Sequence, residues 1–189
     1  MESPLHSEDQ EIATNSMNVL KRLLVSAEIL GVSDIVIPCV DQSSLDNNDA
    51  VKRFVEKIND IIPDIEDKGI NLSLETDLDP KSFLELLNKF NSKRITVNYD
   101  IGNSASLGFD LIEELDTYGN RITDIHIKDR VLNGGPVVLG EGNADFKLFF
   151  TKLKEFNYKG PFIMQAYRDD EGIEVFKQQY KWISKLIYG

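Results

Sequence analysis

The sequence has almost no cysteine, since Cys39 is the only one among 189 residues. A single thiol cannot form an internal disulfide or supply a cluster of thiolate zinc ligands. This agrees with a reducing compartment, so we expect a cytoplasmic protein in which Cys39 is a small buried apolar residue. Any metal ion would then be bound by oxygen and imidazole ligands.

Long apolar runs are also absent. No stretch approaches the roughly 20 apolar residues that a membrane helix needs, and residues 1–10 lack the basic start and apolar run of a signal peptide. Basic residues are outnumbered, because 21 Lys and Arg face 32 Asp and Glu, giving a formal charge of -11. This excess of negative charge disfavours nonspecific binding to the phosphate backbone of a nucleic acid. We therefore expect neither a membrane nor a nucleic acid as partner.

What is present is an alternation of two hydrophobic periods. Short β-branched or leucine-rich runs alternate with longer segments whose apolar residues recur at helical spacing, and the helical segments end near glycine. The predicted strands cover residues 34–40, 70–76, 94–100, 122–128 and 160–165. This pattern predicts an α/β fold in one domain over residues 1–189. It allows either a doubly wound open sheet or part of an eight-unit barrel.

Several local signals refine this prediction. Ser7 followed by Gln10 resembles a capping box at the start of the first helix, and Asp79 before a proline predicts another helix start. Pro63 should kink the second helix or end it early. The glycine-rich segment 133–142 does not have the dinucleotide-binding pattern and is interpreted as a flexible lid or a turn.

Four polar side chains stand at the carboxyl ends of predicted strands, where α/β proteins place their working sites. They are Glu75, Asp100, His126 and Gln165. Each alone is more often a helix cap, a solvated acid or a core histidine. Their equivalent places in successive units favour a site for a divalent ion such as manganese, magnesium, cobalt or zinc. Gln165 is the weakest candidate, since an amide could instead hydrogen-bond a substrate hydroxyl.

Other candidates carry less weight. His6 precedes the first helix, where a solvent-exposed histidine is expected. Lys128 follows the fourth predicted strand and is a candidate substrate contact. Arg168 follows the fifth and could meet an anionic substrate group, although a surface arginine is equally compatible with its position.

At these residues the sequence resembles the xylose-isomerase-like family of sugar isomerases and epimerases, which also includes AP endonucleases. It is most similar to the hexulose-phosphate isomerase and pentulose-phosphate 3-epimerase branch. The matching segments are LGVSDIVIP, LSLET, YDIGN, IHIKD, LGEGNADF and YKGPFIMQ, spread along nearly the whole chain. YDIGN, followed by IHIKD and then LGEG, is the most specific combination.

The resemblance implies a (β/α)8 TIM barrel that binds one divalent metal ion through Glu, Asp, His and Glu from four late strands. Glu75, Asp100 and His126 match three of these ligands, and Gln165 stands where the second glutamate is expected. In the epimerases the two glutamates also serve as acid and base, moving a proton next to a carbonyl through an enediolate. The implied substrate is a small sugar or sugar phosphate, with Glu75 as ligand and base.

The chain is shorter than the resemblance implies, because TIM barrels run to about 250 residues. We therefore expect a partial barrel of about five C-terminal parallel strands alternating with helices, without its first three units. Exposed barrel edges would then favour a homo-oligomer, or the chain would be an incomplete product of a longer gene.

Two alternatives to an active isomerase remain open. The first is a catalytically impaired, truncated barrel that serves as a binding or interaction module. The second is a hydrolase of the AP-endonuclease type, which uses three metal ions and more histidines than this sequence contains.

Overall fold

Helices and short strands alternate along the chain in the computed structural model, which describes residues 4–167 and 172–188. The α-helices are α1 (Gln10–Leu30), α2 (Asn48–Lys68), α3 (Pro80–Leu87), α4 (Ile101–Leu107), α5 (Leu111–Tyr118), α6 (Phe146–Leu153) and α7 (Ile173–Tyr188). The strands are β1 (Asp34–Cys39), β2 (Asn71–Thr76), β3 (Ile95–Asp100), β4 (Ile122–Ile127), β5 (Asp129–Arg130), β6 (Pro136–Val137) and β7 (Phe162–Met164).

Five of these strands form a parallel sheet in the order β1-β2-β3-β4-β7. Within the part of the chain that the structure describes, this sheet does not close into a barrel, and β1 and β7 are its edges. The remaining strands, β5 and β6, pair antiparallel. The prediction of about five parallel strands alternating with helices is therefore confirmed. No helix within residues 4–167 and 172–188 is long and apolar enough to cross a membrane.

The chain divides into two compact units, residues 1–97 and 98–189. In the first unit, β1 pairs with β2 over the register Asp34↔Asn71 to Cys39↔Thr76. The core of this unit comes from apolar residues at helical spacing in α2 and from β2, namely Phe54, Ile58, Ile61, Ile65, Leu72 and Leu74, each at most 1% exposed. Cys39 is buried as predicted, and burial raises the pKa of its thiol.

Pro63 does not end the second helix early, because α2 continues through it to Lys68. Proline removes one backbone hydrogen bond from a helix interior. Here Ile61 and Ile65 lie on either side of the proline and are fully buried. Burial of these two side chains holds the helix in the core on both sides of the interruption.

Two predictions at the N-terminus are corrected. The cap of α1 is Asp9 and not Ser7, since Asp9 Oδ1 accepts hydrogen bonds from the backbone N–H groups of Glu11 (2.8 Å) and Ile12 (3.3 Å). His6 is buried, at 7% exposure. Its ring packs edge to face against Phe54, with the two ring centroids 6.1 Å apart. Burial lowers the pKa of His6. Its place before the helix gave no sign of this packing, which depends on a residue 48 positions away.

The second unit contains α4, a seven-residue helix directly after β3 that the hydrophobic pattern did not predict. It also contains the glycine-rich segment, which forms a hydrogen-bonded turn around one buried acid. The Asp129 carboxylate is fully buried and accepts from the N–H groups of Gly140 (2.9 Å), Gly142 (2.9 Å) and Ala144 (3.1 Å). Strand β6 within this segment pairs with β5.

Candidate metal centre

Glu75 lies next to the last residue of β2, at the carboxyl end of the strand. It is opposite Pro38 of β1 in the strand register and is 9% exposed. Because side chains alternate along a strand, Glu75 shares its face of the sheet with Ser73. A carboxylate so enclosed by a sheet requires polar or charged neighbours.

Asp100 is the last residue of β3 and is 5% exposed. Its Oδ1 accepts a hydrogen bond from the N–H of Asn103 at 2.8 Å, which caps α4 and fixes the orientation of the carboxylate. Its Oδ2 lies 3.6 Å from Lys128 Nζ. The side chain therefore serves as a helix cap through one oxygen and keeps the other beside a cation.

His126 lies near the end of β4 and is 6% exposed. Its Nδ1 is 3.9 Å from Asp100 Oδ2 and 3.1 Å from the side-chain nitrogen of Asn98. Asn98 was not predicted as part of the site. The signal was nevertheless in the sequence, because Asn98 precedes Asp100 by two residues and a strand places both side chains on one face.

Glu75, Asp100 and His126 form a buried group in which one ligand atom from each residue lies within 4.8 Å of the others. Two carboxylate oxygens and one imidazole nitrogen are ligands that manganese, magnesium, cobalt or zinc accepts. Two ligands of one ion at about 2.2 Å lie at most about 4.4 Å apart, so a small movement of these side chains toward one another would let the three atoms share an ion. The residues thus fit a single divalent ion.

The other predicted site residues have different positions. Gln165 follows β7, and its backbone N–H donates to the carbonyl of Ile127 at 3.0 Å, but its side chain is exposed. Lys128 is half-buried, and its Nζ lies 3.6 Å from Asp100 Oδ2; its role as a substrate contact stays a prediction. Arg168 lies outside the residues that the structure describes.

Several relatives with similar sequences are named L-ribulose-5-phosphate 3-epimerases. The chain is 25% identical over 192 residues to the L-ribulose-5-phosphate 3-epimerase UlaE of Escherichia coli, covering 95% of this chain and 66% of the relative. It therefore spans about two thirds of that protein's length.

Solved structures share the fold. The IolI protein with a bound zinc atom superimposes with a TM-score of 0.80 at 18% identity, covering 98% of this chain and 75% of the other. D-psicose 3-epimerase, solved in the presence of D-fructose, gives a TM-score of 0.78 at 18% identity, covering 100% of this chain and 76% of the other.

The family model described as the xylose isomerase-like TIM barrel matches residues 2–186. This match extends over both compact units and includes the three strands that carry Glu75, Asp100 and His126, as well as β7, which precedes Gln165. The chain belongs to the xylose isomerase-like TIM barrel family.

Proposed function

We propose that the protein is a metal-dependent isomerase or epimerase of a sugar or sugar phosphate, acting by proton transfer next to a carbonyl. The observation that carries this proposal is the buried group of Glu75, Asp100 and His126 at the ends of three neighbouring strands. Family membership and the 3-epimerase activity named for the Escherichia coli relative support it.

The metal ion would be held by Glu75, Asp100 and His126, with Gln165 as a weak fourth ligand or a contact for a substrate hydroxyl. Zinc in the IolI structure supports a divalent ion in this fold, and manganese, magnesium or cobalt would suit the same donors. When bound, such an ion draws electron density from a substrate carbonyl and so makes the neighbouring C–H group more acidic.

The chain's own residues have separate tasks in this proposal. The Glu75 carboxylate accepts the proton from the carbon next to the carbonyl. Asp100 cannot swing away, because its Oδ1 caps α4. Lys128 Nζ, 3.6 Å from Asp100 Oδ2, donates hydrogen bonds to substrate oxygens beside the metal ligands. Arg168 is proposed as a further contact for an anionic substrate group.

A second candidate function is a binding module without turnover. Gln165 favours it, because an amide cannot exchange a proton as the glutamate expected at this place would. The exposed side chain of Gln165 agrees with a residue that has no fixed role in proton transfer. Epimerisation inverts a carbon and needs proton transfer on both of its faces, so loss of one of the two groups would affect it strongly.

Proton exchange with solvent distinguishes the two functions. The full chain with Mn²⁺ should incorporate deuterium from D₂O into L-ribulose 5-phosphate next to the carbonyl, as followed by NMR. Glu75→Gln should lower the exchange rate by about 100-fold or more, since it removes the base. Glu85→Gln, at an exposed position on α3, should leave the rate unchanged. Substrate binding without any exchange in the unsubstituted chain would favour the binding module.

A further inference from the structure

Two cationic side chains converge on one amide oxygen next to the proposed metal ligands. Arg130 donates from Nη1 to the side-chain oxygen of Asn103 at 2.9 Å, and Lys128 Nζ donates to the same oxygen at 3.3 Å. Lys128 also lies 3.6 Å from Asp100 Oδ2. The pair therefore extends from the metal ligand Asp100 outward to Arg130.

Arg130 is not neutralised by an acid. No carboxylate among the described residues pairs with its guanidinium, in a protein whose formal charge is -11. Its sequence neighbour Asp129 accepts instead from backbone N–H groups, including that of Arg130 itself at 2.9 Å. The acid closest in sequence thus organises the turn and leaves the charge of Arg130 in place.

The guanidinium also retains donor capacity. Its Nε donates to the carbonyl of Gly134 at 3.0 Å, which fixes the plane of the group. A guanidinium has five N–H donors. Within residues 4–167 and 172–188, its two side-chain hydrogen bonds are those to Gly134 and Asn103, so both hydrogens on Nη2 are available to an anion.

We propose that Arg130 and Lys128 bind the phosphate of the substrate, which makes the substrate class a phosphorylated ketose in place of a free sugar. This inference rests on the proposed function. Arginine recognises phosphate through two parallel hydrogen bonds, and lysine binds it as a point charge. Phosphate oxygens would take over the donors that Asn103 now accepts. Lys128, whose Nζ is 3.6 Å from Asp100 Oδ2, is the member of the pair nearer to the proposed metal ligands.

Direct binding of inorganic phosphate tests this subsite without the reaction. In calorimetric titration of the metal-free full chain, Arg130→Gln should weaken phosphate binding by about 10-fold to 100-fold, the usual effect of losing hydrogen bonds to a charged group. Arg22→Gln removes the same charge from the exposed face of α1 and should not change it. Equal affinities for Arg130→Gln and the unsubstituted chain, or equal losses in both variants, would overturn the proposal.

Arg130→Lys is a control for misfolding as the cause of weaker phosphate binding, because it keeps the charge but loses the planar pair of donors. It should show intermediate phosphate affinity with an unchanged far-ultraviolet circular dichroism spectrum. Full affinity in Arg130→Lys would contradict recognition by the guanidinium.

Proton-exchange rates distinguish failure of the phosphate subsite from failure of the proposed function. With Mn²⁺ bound, exchange of the proton next to the carbonyl should be faster for L-ribulose 5-phosphate than for L-ribulose, and Arg130→Gln should abolish that preference. Exchange at equal rates on both compounds would overturn the phosphate subsite and leave the proposed function standing. Absence of Mn²⁺ binding in the unsubstituted chain would instead contradict the proposed function, whatever the phosphate affinity.

Discussion

Two buried acids, Glu114 and Asp100, lie on opposite faces of strand β3 and have different neighbours. Tyr99 and Asp100 are consecutive residues, so their side chains point to opposite faces of the strand. On one face, the Tyr99 hydroxyl donates to Glu114 at 2.7 Å. On the other, Asp100 lies beside the imidazole of His126 and the ammonium of Lys128.

Glu114 is surrounded by hydroxyl groups. Tyr118 donates to its Oε1 at 2.8 Å, and both Tyr99 and Ser104 donate to its Oε2. At 2% exposure, burial raises the pKa of Glu114, although the three hydrogen bonds partly oppose this shift. Burial is also the main reason that the pKa of Tyr99 is raised.

The neighbours of these two acids differ in chemical type, which agrees with a structural role for Glu114 and the proposed metal-binding role for Asp100. Glu114 ties α4, α5 and β3 together through donors that are uncharged, so its environment suits a fixed internal network. Asp100 lies with a second carboxylate and an imidazole, which are groups that repel or compete unless an ion joins them. Both acids are buried, so the proposed metal-binding role of Asp100 rests on the chemical type of its neighbours and not on burial.

The largest expected effect is on the structural side of this comparison. Glu114→Ala leaves the hydroxyls of Tyr99, Tyr118 and Ser104 buried without their acceptor, and should lower the free energy of unfolding by about 3 kcal/mol. Urea denaturation measures this change. The exposed neighbour variant Glu113→Ala should cost well under about 1 kcal/mol. A similar loss of unfolding free energy in both variants would contradict a stabilising role of the hydroxyl network around Glu114.

A smaller effect on stability is expected when the proposed metal ligand Asp100 is changed. Asp100→Asn keeps an equally good helix cap, so the metal-free free energy of unfolding should change by less than about 1 kcal/mol. Affinity for Mn²⁺ should nevertheless fall at least about 10-fold, because an amide replaces a carboxylate ligand. Thermal unfolding with and without Mn²⁺ checks both parts. A large metal-free destabilisation would place Asp100 in the same structural class as Glu114.

The smallest effect concerns pH. The folded protein holds the Glu114 proton more tightly than the unfolded chain does, because burial raises this pKa above the ordinary value of 4.5. This residue's contribution to the free energy of unfolding should therefore decrease as pH rises above 4.5 and level off above the raised pKa.

Glu114→Gln removes this titration and supplies the control. The stability of the unsubstituted protein relative to Glu114→Gln should fall with rising pH, as measured by urea unfolding at a series of pH values. Parallel pH profiles for the two proteins would contradict the raised pKa.

The strand ends were predictable from the sequence for a physical reason. Buried parallel strands leave short apolar runs, and an acid or histidine that closes such a run is visible without a structure, as at Glu75, Asp100 and His126. Helix ends marked by a local cap, such as Asp79, were found in the same way, since its side chain accepts from Ser82 N–H at 3.1 Å.

Features that depend on distant contacts were not predictable. Helix α4 is short and reads IGNSASL, so it shows no apolar period, and its cap is the predicted metal ligand Asp100. The turn around Asp129 depends on amides 11 to 15 residues away. His6 packs against Phe54, and α2 continues past Pro63, where the neighbouring isoleucines are buried. In each case tertiary contacts overrode a local signal.

The central claim is that Glu75, Asp100 and His126 together hold one divalent ion, and titration of the full chain with Mn²⁺ tests it most directly. Electron paramagnetic resonance should count one bound ion per chain. Affinity should fall at least about 10-fold in both Glu75→Gln and His126→Ala, and remain unchanged in Glu85→Gln. No bound ion, or equal affinity in the unsubstituted chain and in both ligand variants, would contradict the account.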